Sequence, residues 1–378
     1  MFKNVIFTLN TYIKEFSMRV YNFSAGPSML PLEVLEKVQA GLIDYEGTGM
    51  SVMEMSHRSK PYEKINADAE ALLRELMNIP DDYSVIFVQG GASMQFEAVP
   101  LNLAHGSTET KGDYVVTGNF SGKAYKEAKK YGDMVEVASS KDRNFTYIPA
   151  LSRDMFRKDA DYVHICYNNT IFGTRYTETP DTGDIPLVAD LSSCILSQEF
   201  DVKKFGVIYA GAQKNVAPAG VTIVIVRNDL LGKENPYCPT MMKWATQVEN
   251  KSLYNTPPAF VTYVATEVFR YLKSIGGVKA IQKINEEKAA MLYDFIDNSS
   301  FFKNPVEHEF RSLMNVTFTS PSPELDAKFV AEAAQNGLVS IKGHRLVGGM
   351  RASIYNAMPV EGIKKLIEFM AKFEKENK

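Results

Sequence analysis

Hydrophobic positions along the chain follow two periods that take turns. Between Pro31 and Ala40, and again between Pro61 and Met77, apolar residues recur at helical spacing, with Ile65, Ala69, Leu72, Leu73 and Leu76 along one stripe. Tyr83 to Val88 then reads as a short strand ending at Gly90-Gly91, and Phe96, Val99 and Leu103 resume the helical spacing behind it. Tyr114–Val116, Tyr162–Cys166, Leu187–Ala189, Val207–Ala210 and Val221–Val226 are further apolar runs of strand length, mostly separated by helical or loop stretches. Strands that are apolar throughout suit burial on both faces, and their alternation with helices suits crossover connections. The pattern predicts an α/β fold: a large domain with a mostly parallel central sheet flanked by helices.

The texture changes after Gly276-Gly277. A long helical pattern (Val278 to Asp297) leads to a strand-like Met314–Phe318, a helix over Glu324 to Asn336, another strand near Leu338 and a last helix from Val360 to Glu374. This predicts a smaller α+β C-terminal domain over 276–378 behind a large domain over 33–275, with residues 19–32 an N-terminal segment packing with the small domain. Residues 1–18 stand apart. Asn4, Asn10, Lys14 and Glu15 interrupt their apolar stretch, no small-residue cleavage pattern follows, and arginine is absent before Arg19, so they read as a disordered extension rather than a signal or transit peptide.

Composition narrows the class. With 378 residues, 45% of them hydrophobic, the chain is long enough for two domains. A formal net charge of -3 supplies no overall field for nucleic acid or an acidic membrane surface, so any anion must be held locally. Cys166, Cys194 and Cys238 are too few and scattered for a disulfide framework or a metal site, and no run approaches the roughly 18 apolar residues of a membrane span. A cytoplasmic protein with no nucleic-acid, membrane or metal partner is expected.

Three strand-ending motifs carry candidate chemistry. QGGASMQF (Gln89 to Phe96) sets Gly-Gly-Ala-Ser between a strand and a helix, where backbone N–H groups and the helix dipole would cradle a phosphate; a plain turn is the bland alternative. VADLSS ends a buried strand at Asp190, which by itself could be a helix cap. GAQKN puts Lys214 at the end of the next strand, so that the two side chains can converge at one sheet edge. A salt bridge would explain them, but so would a sharper chemistry. Lys214 could hold an aldehyde cofactor as a Schiff base while Asp190 keeps its ring nitrogen protonated, with the phosphate tail at Gly90–Ser93. That combination points to pyridoxal 5'-phosphate.

NFSAGPSMLP from Asn22, SVMEMSHR ending at Arg58, VIYAGAQKN ending at Asn215, NTPP from Asn255 and KGHRLVGGMRASIYNAMP from Lys342 together resemble the phosphoserine aminotransferases, from about Asn22 to the end of the chain. The resemblance implies a pyridoxal-phosphate enzyme of fold type I, class V group, working as a homodimer with active sites at the subunit interface. It implies that Lys214 carries the cofactor and then moves the proton at the substrate Cα, that Asp190 pairs with the pyridine nitrogen, and that Thr170 bonds the phenolate oxygen. Phe120 stands where many members have a ring-stacking tryptophan. By the same resemblance the phosphate is held by Ala92, Ser93, Ser192 and Gln213, with Asn255 and Thr256 from the partner subunit. Some relatives carry arginine where Ser93 stands.

His57-Arg58, His344-Arg345 and Arg351 supply forked cationic donors suited to carboxylate and phosphate. The resemblance assigns Arg351 to the α-carboxylate, and His344, Arg345 and the partner's His57 and Arg58 to the side-chain phosphate of phosphoserine or the γ-carboxylate of glutamate. The implied reaction moves an amino group from glutamate, released as 2-oxoglutarate, to 3-phosphohydroxypyruvate, giving phosphoserine for serine biosynthesis. The resemblance also allows the related step of vitamin B6 synthesis. Other classes fit less well: a cysteine desulfurase needs a mobile nucleophilic cysteine, a sugar-phosphate-binding module has no use for Lys214 beside Asp190, and a nicotinamide dehydrogenase calls for an early G-x-G-x-x-G turn.

Overall fold

The apolar runs pair with one another. In the computed structural model, which describes residues 19–378, strands β2 (Tyr83–Val88), β3 (Thr110–Val116), β4 (Gly132–Ser139), β5 (Tyr162–Cys166), β6 (Leu187–Asp190), β7 (Val207–Gly211) and β8 (Thr222–Arg227) form one seven-stranded sheet. Their order is β2-β8-β7-β6-β5-β3-β4, and only β8 runs against its neighbours. The N-terminal extension lies outside the described residues.

Alternation along each buried strand feeds two cores at once. Val163, Ile165, Ala189, Ile208 and Ala210 point into one layer with residues of helices α2 (Lys60–Met77) and α6 (Ala259–Ser274), including Leu73, Tyr263 and Phe269. Tyr162, Val188, Val207 and Tyr209 point into the other, against Phe96 and Val99 of α3 (Gly91–Asn102) and Ala124 and Ala128 of α4 (Asn119–Ala128). The sheet is covered on both faces, as the unbroken apolar runs predicted.

A third core gathers α7 (Gly277–Asn298), α8 (Pro323–Gln335) and α9 (Val360–Asn377) around Phe302, Phe318, Phe329 and Phe373. Two small sheets lie with it, β9 (Asn315–Phe318) antiparallel to β11 (Met350–Ser353), and β1 (Tyr21–Asn22) parallel to β10 (Leu338–Val339). Phe23, from the N-terminal segment, is fully buried in this core. No helix among the described residues is long and apolar enough to cross a membrane.

Several elements had no clear pattern to announce them. β4 is an edge strand with Met134 its only buried residue, so it lacks the apolar run of its neighbours. β3 begins at Thr110, four residues before its apolar part, because Thr110 to Asp113 pair with β4 through polar residues and a glycine. β11 is short and carries Arg351 in its middle.

Candidate active site

Parallel strands bring all their C-terminal ends to one edge, and the turns that follow β2, β3, β5, β6 and β7 meet there. Cys166, Asp190 and Tyr209 are side by side in register across β5, β6 and β7. Asp190 is buried, and its Oδ1 accepts a hydrogen bond from Ser192 N at 2.8 Å. Ser192 Oγ in turn accepts from Gly211 N at 3.0 Å, which ties the Asp190 turn to the strand leading to Lys214.

Lys214 projects into this cluster. Its Nζ donates to Thr170 Oγ1 at 2.7 Å and lies 5.3 Å from the centroid of the Phe120 ring. Gly118 makes that ring position possible: a Cβ there would meet Asn169 Oδ1 at 2.5 Å, so only glycine lets the β3 turn pass so close to the β5 turn. On the other side, Ser28 N donates to Gln213 O at 3.1 Å and Ser28 Oγ to the carbonyl of Lys214, so the N-terminal segment braces the lysine backbone.

Burial sets the charges. It pushes the Lys214 amine below the ordinary lysine value, against the pull of Asp190, and raises the Asp190 carboxyl, against the pull of Lys214. Burial also raises the thiols of Cys166 and Cys194, so neither is poised as a nucleophile.

Arg351 reaches the residue that meets the lysine. Arg351 Nη1 donates to Thr170 O at 3.3 Å, and its buried Nε has no partner among the described residues. His344 is half-buried and Arg345 exposed. Leu346 N donates to His344 Nδ1 at 3.2 Å, and burial, Arg351, Arg345 and Lys123, in that order, hold the imidazole below its usual value.

Other candidates lie apart from this cluster. Ala92 and Ser93 occupy the first turn of α3, which starts after Gly90 at φ +90°, a left-handed conformation that glycine adopts freely. Gln89 Nε2 donates to Thr256 O at 3.2 Å, so the turn with half-buried Asn255 and exposed Thr256 rests beside the same strand end. His57 is half-buried and Arg58 exposed in the turn before α2; among the described residues neither forms an ion pair.

Residues 20–366 match the family model of the class-V aminotransferases. The chain belongs to this family. It is 56% identical over 360 residues to a phosphoserine aminotransferase of Bacillus thuringiensis subsp. konkukian, covering 95% of this chain and 99% of that one. It is 57% identical over 357 residues to one of Listeria monocytogenes, covering 94% and 96%. Among solved structures, phosphoserine aminotransferase from Bacillus circulans subsp. alkalophilus superposes with a TM-score of 0.92 at 46% identity, covering 96% of this chain and all of that one. The pyridoxal-phosphate-bound enzyme from Trichomonas vaginalis gives 0.88 at 39% identity, with 93% and 100% covered.

A class-V aminotransferase is a pyridoxal-phosphate-dependent transaminase, and the residues present fit that cofactor. A desolvated amine, a buried carboxylate, a hydroxyl and an aromatic face converge, and Arg351 keeps a buried donor unpaired.

The sequence reading missed the groups that hold these side chains in place. Asn168 donates to Ser193 Oγ at 2.8 Å and Asn315 Oδ1 at 2.9 Å, and accepts from Ser312 Oγ at 2.6 Å. Asn169 donates to Thr117 Oγ1 and Thr174 Oγ1, both at 3.1 Å. Asn215, Asn356 and Asn285 donate to three successive carbonyls, those of Ile195, Leu196 and Ser197, at 3.1, 2.8 and 2.9 Å. The sequence signal for the first pair was two asparagines directly behind a fully buried strand, where an unpaired amide would be costly.

Proposed function

We propose that the chain transfers the amino group of glutamate to 3-phosphohydroxypyruvate, giving phosphoserine and 2-oxoglutarate, in the serine biosynthesis of the cytoplasm. The single observation that carries the site reading is that Lys214 and Arg351 meet on one residue, the amine at the hydroxyl of Thr170 and the guanidinium at its carbonyl. An α-amino acid whose carboxylate sits on Arg351 then has its Cα beside the lysine. The identity to phosphoserine aminotransferases over nearly the whole chain supports the choice of substrate.

Pyridoxal phosphate, when bound, supplies the carbonyl that takes up the amino group and a ring that draws electrons from Cα. Ala92, Ser93, Ser192 and Gln213 would hold its phosphate, with Asn255 and Thr256 of the partner subunit. Phe120 would offer the ring an aromatic face, and Thr170 would offer it a hydroxyl.

The chain's own residues do the rest. Lys214, whose amine burial holds below the ordinary lysine value against the pull of Asp190, moves a proton through Nζ. Asp190 keeps its carboxylate oriented by the Ser192 N–H and presents negative charge to a cation at the ring nitrogen. Arg351 fixes the α-carboxylate. His344 and Arg345, with His57 and Arg58 of the partner subunit, take the distal anion, whether phosphate or carboxylate.

The homodimer is part of this proposal. His57 and Arg58 belong to a segment that exposes apolar side chains, with Ile43 84%, Met50 43% and Met53 60% accessible. A second copy of the chain would cover them and receive the two cations. The test is formation of glutamate from phosphoserine and 2-oxoglutarate by the pure holoenzyme. Turnover far above that with L-alanine as donor is expected, and equal rates with the two donors would overturn the substrate assignment.

A further inference from the structure

Three turns that build the site continue past it into a second cleft. Gly118 and Asn119 stand just before Phe120, Phe172 lies two residues after Thr170, and Leu346 and Val347 follow Arg345; all of them line one open cavity of about 790 Å³. The cavity therefore shares its walls with the site along three separate loops.

Its charge is one-sided. Lys123, Lys126 and Lys141 are exposed along it, against a single carboxylate, Glu136. Lys123 and Lys126 lie one turn apart on α4, whose first residues carry Phe120. Lys123 Nζ is 5.8 Å from the Phe120 ring centroid, and Lys214 Nζ is 5.3 Å from the same centroid. Both lysines approach the same ring. Lys123 is also among the charges that hold the His344 imidazole down, so it acts on the residue assigned to the distal anion.

We propose that this cleft is the entrance for the phosphorylated substrates, and that Lys123 is a specificity-determining residue that favours a phosphate over a carboxylate as the distal group. The inference rests on the substrate reading given above. A phosphomonoester carries about -1.5 to -2 charges at neutral pH, whereas the γ-carboxylate of glutamate carries one. Fixed cations attract the first more strongly, and apolar walls such as Phe145 and Phe172 focus the field into the cleft. If Lys123 were only a solvated position on an exposed helix face, its removal would treat the two amino donors alike.

The experiment compares the holoenzyme with Lys123→Gln and Lys123→Arg, following each half-reaction with phosphoserine or glutamate at low and high ionic strength. In Lys123→Gln the second-order rate constant should fall about fivefold for phosphoserine and no more than about twofold for glutamate at low salt. That gap should close at about 0.3 M salt, where the screening length falls to about 6 Å, and Lys123→Arg should keep the wild-type preference. Independently of activity, the His344 imidazole followed by NMR without substrate should titrate at higher pH in Lys123→Gln. Equal losses for both donors, a salt-independent loss or an unmoved His344 titration would each overturn the proposal. A wild-type enzyme that does not react with phosphoserine at all would remove the substrate reading itself, and this inference with it.

Discussion

At the residue scale a few groups do separate jobs. Arg351 and Arg345 are both proposed to meet anions, but only Arg351 shares Thr170 with the lysine. Arg351→Ala should raise KM for phosphoserine and glutamate alike, because both carry an α-carboxylate. Arg345→Ala should act on the distal group, with a loss of about tenfold or more for phosphoserine and little change for L-alanine as a poor donor. A steady-state comparison of the three donors checks this, and an equal loss for L-alanine would contradict it. Asp190→Asn keeps the shape and removes the charge; it should lower kcat by about 10²-fold or more while cofactor absorbance persists. Lys214 and Asp190 were legible because each ends an apolar run with an ionisable residue, a placement that costs energy without a purpose. Asn168, Asn169 and Asn315 were not, since asparagine near a strand end is equally at home in a turn, and only the fold shows that these amides are buried and bonded.

At the scale of elements, α7 clamps the segment that follows β11. Lys288, fully buried on α7, donates to the carbonyls of Ile354, Tyr355 and Met358 at 2.9, 2.8 and 3.0 Å. One turn earlier Asn285 bonds the carbonyl of Ser197 and the side chain of Asn356, and Asn356 N bonds Asn215 next to Lys214. The element that carries Arg351 is thereby fixed to the turns that carry Asp190 and Lys214. Lys288→Met leaves three buried carbonyls without their donor and should cost about 3 kcal/mol, read from chemical denaturation. Burial lowers the Lys288 amine to about 7 from 10.5. Between those values the unfolded chain binds more protons than the folded one, so the stability contribution of this group rises with pH across that window and is lowest below pH 7. The Met variant should lose that slope; an unchanged slope would place its origin elsewhere. Helical spacing made α7 and α9 visible in the sequence to within a few residues. It could not reveal the clamp, because a lysine within a helical pattern reads as a solvated position.

At the scale of the whole molecule, the chain alone places Lys214, Asp190, Thr170 and Arg351 together but leaves His57 and Arg58 without ion pairs among the described residues. If those two cations serve the site of a second copy, two dead variants should rescue each other. Co-expressed Lys214→Ala and Arg58→Ala chains should then form hybrid dimers in which one site has the intact lysine and receives the intact arginine. Activity well above that of either variant alone is expected in the purified hybrid. No recovery would place Arg58 in the site of its own chain or outside both. The architecture itself was legible, since apolar runs separated by helices leave few alternatives to a covered parallel sheet. The edge strand β4 was not, because a strand with one neighbour needs no apolar run.

The most direct test of the central claim is the visible absorption spectrum of the pure holoenzyme before and after L-phosphoserine is added with no keto acid present. The band of the lysine-bound pyridoxal form should be replaced by that of the pyridoxamine form, 2-oxoglutarate should reverse the change, and Lys214→Ala should abolish the conversion. A cofactor band that phosphoserine leaves unchanged would contradict the substrate assignment, and conversion that survives in Lys214→Ala would contradict the role given to the lysine.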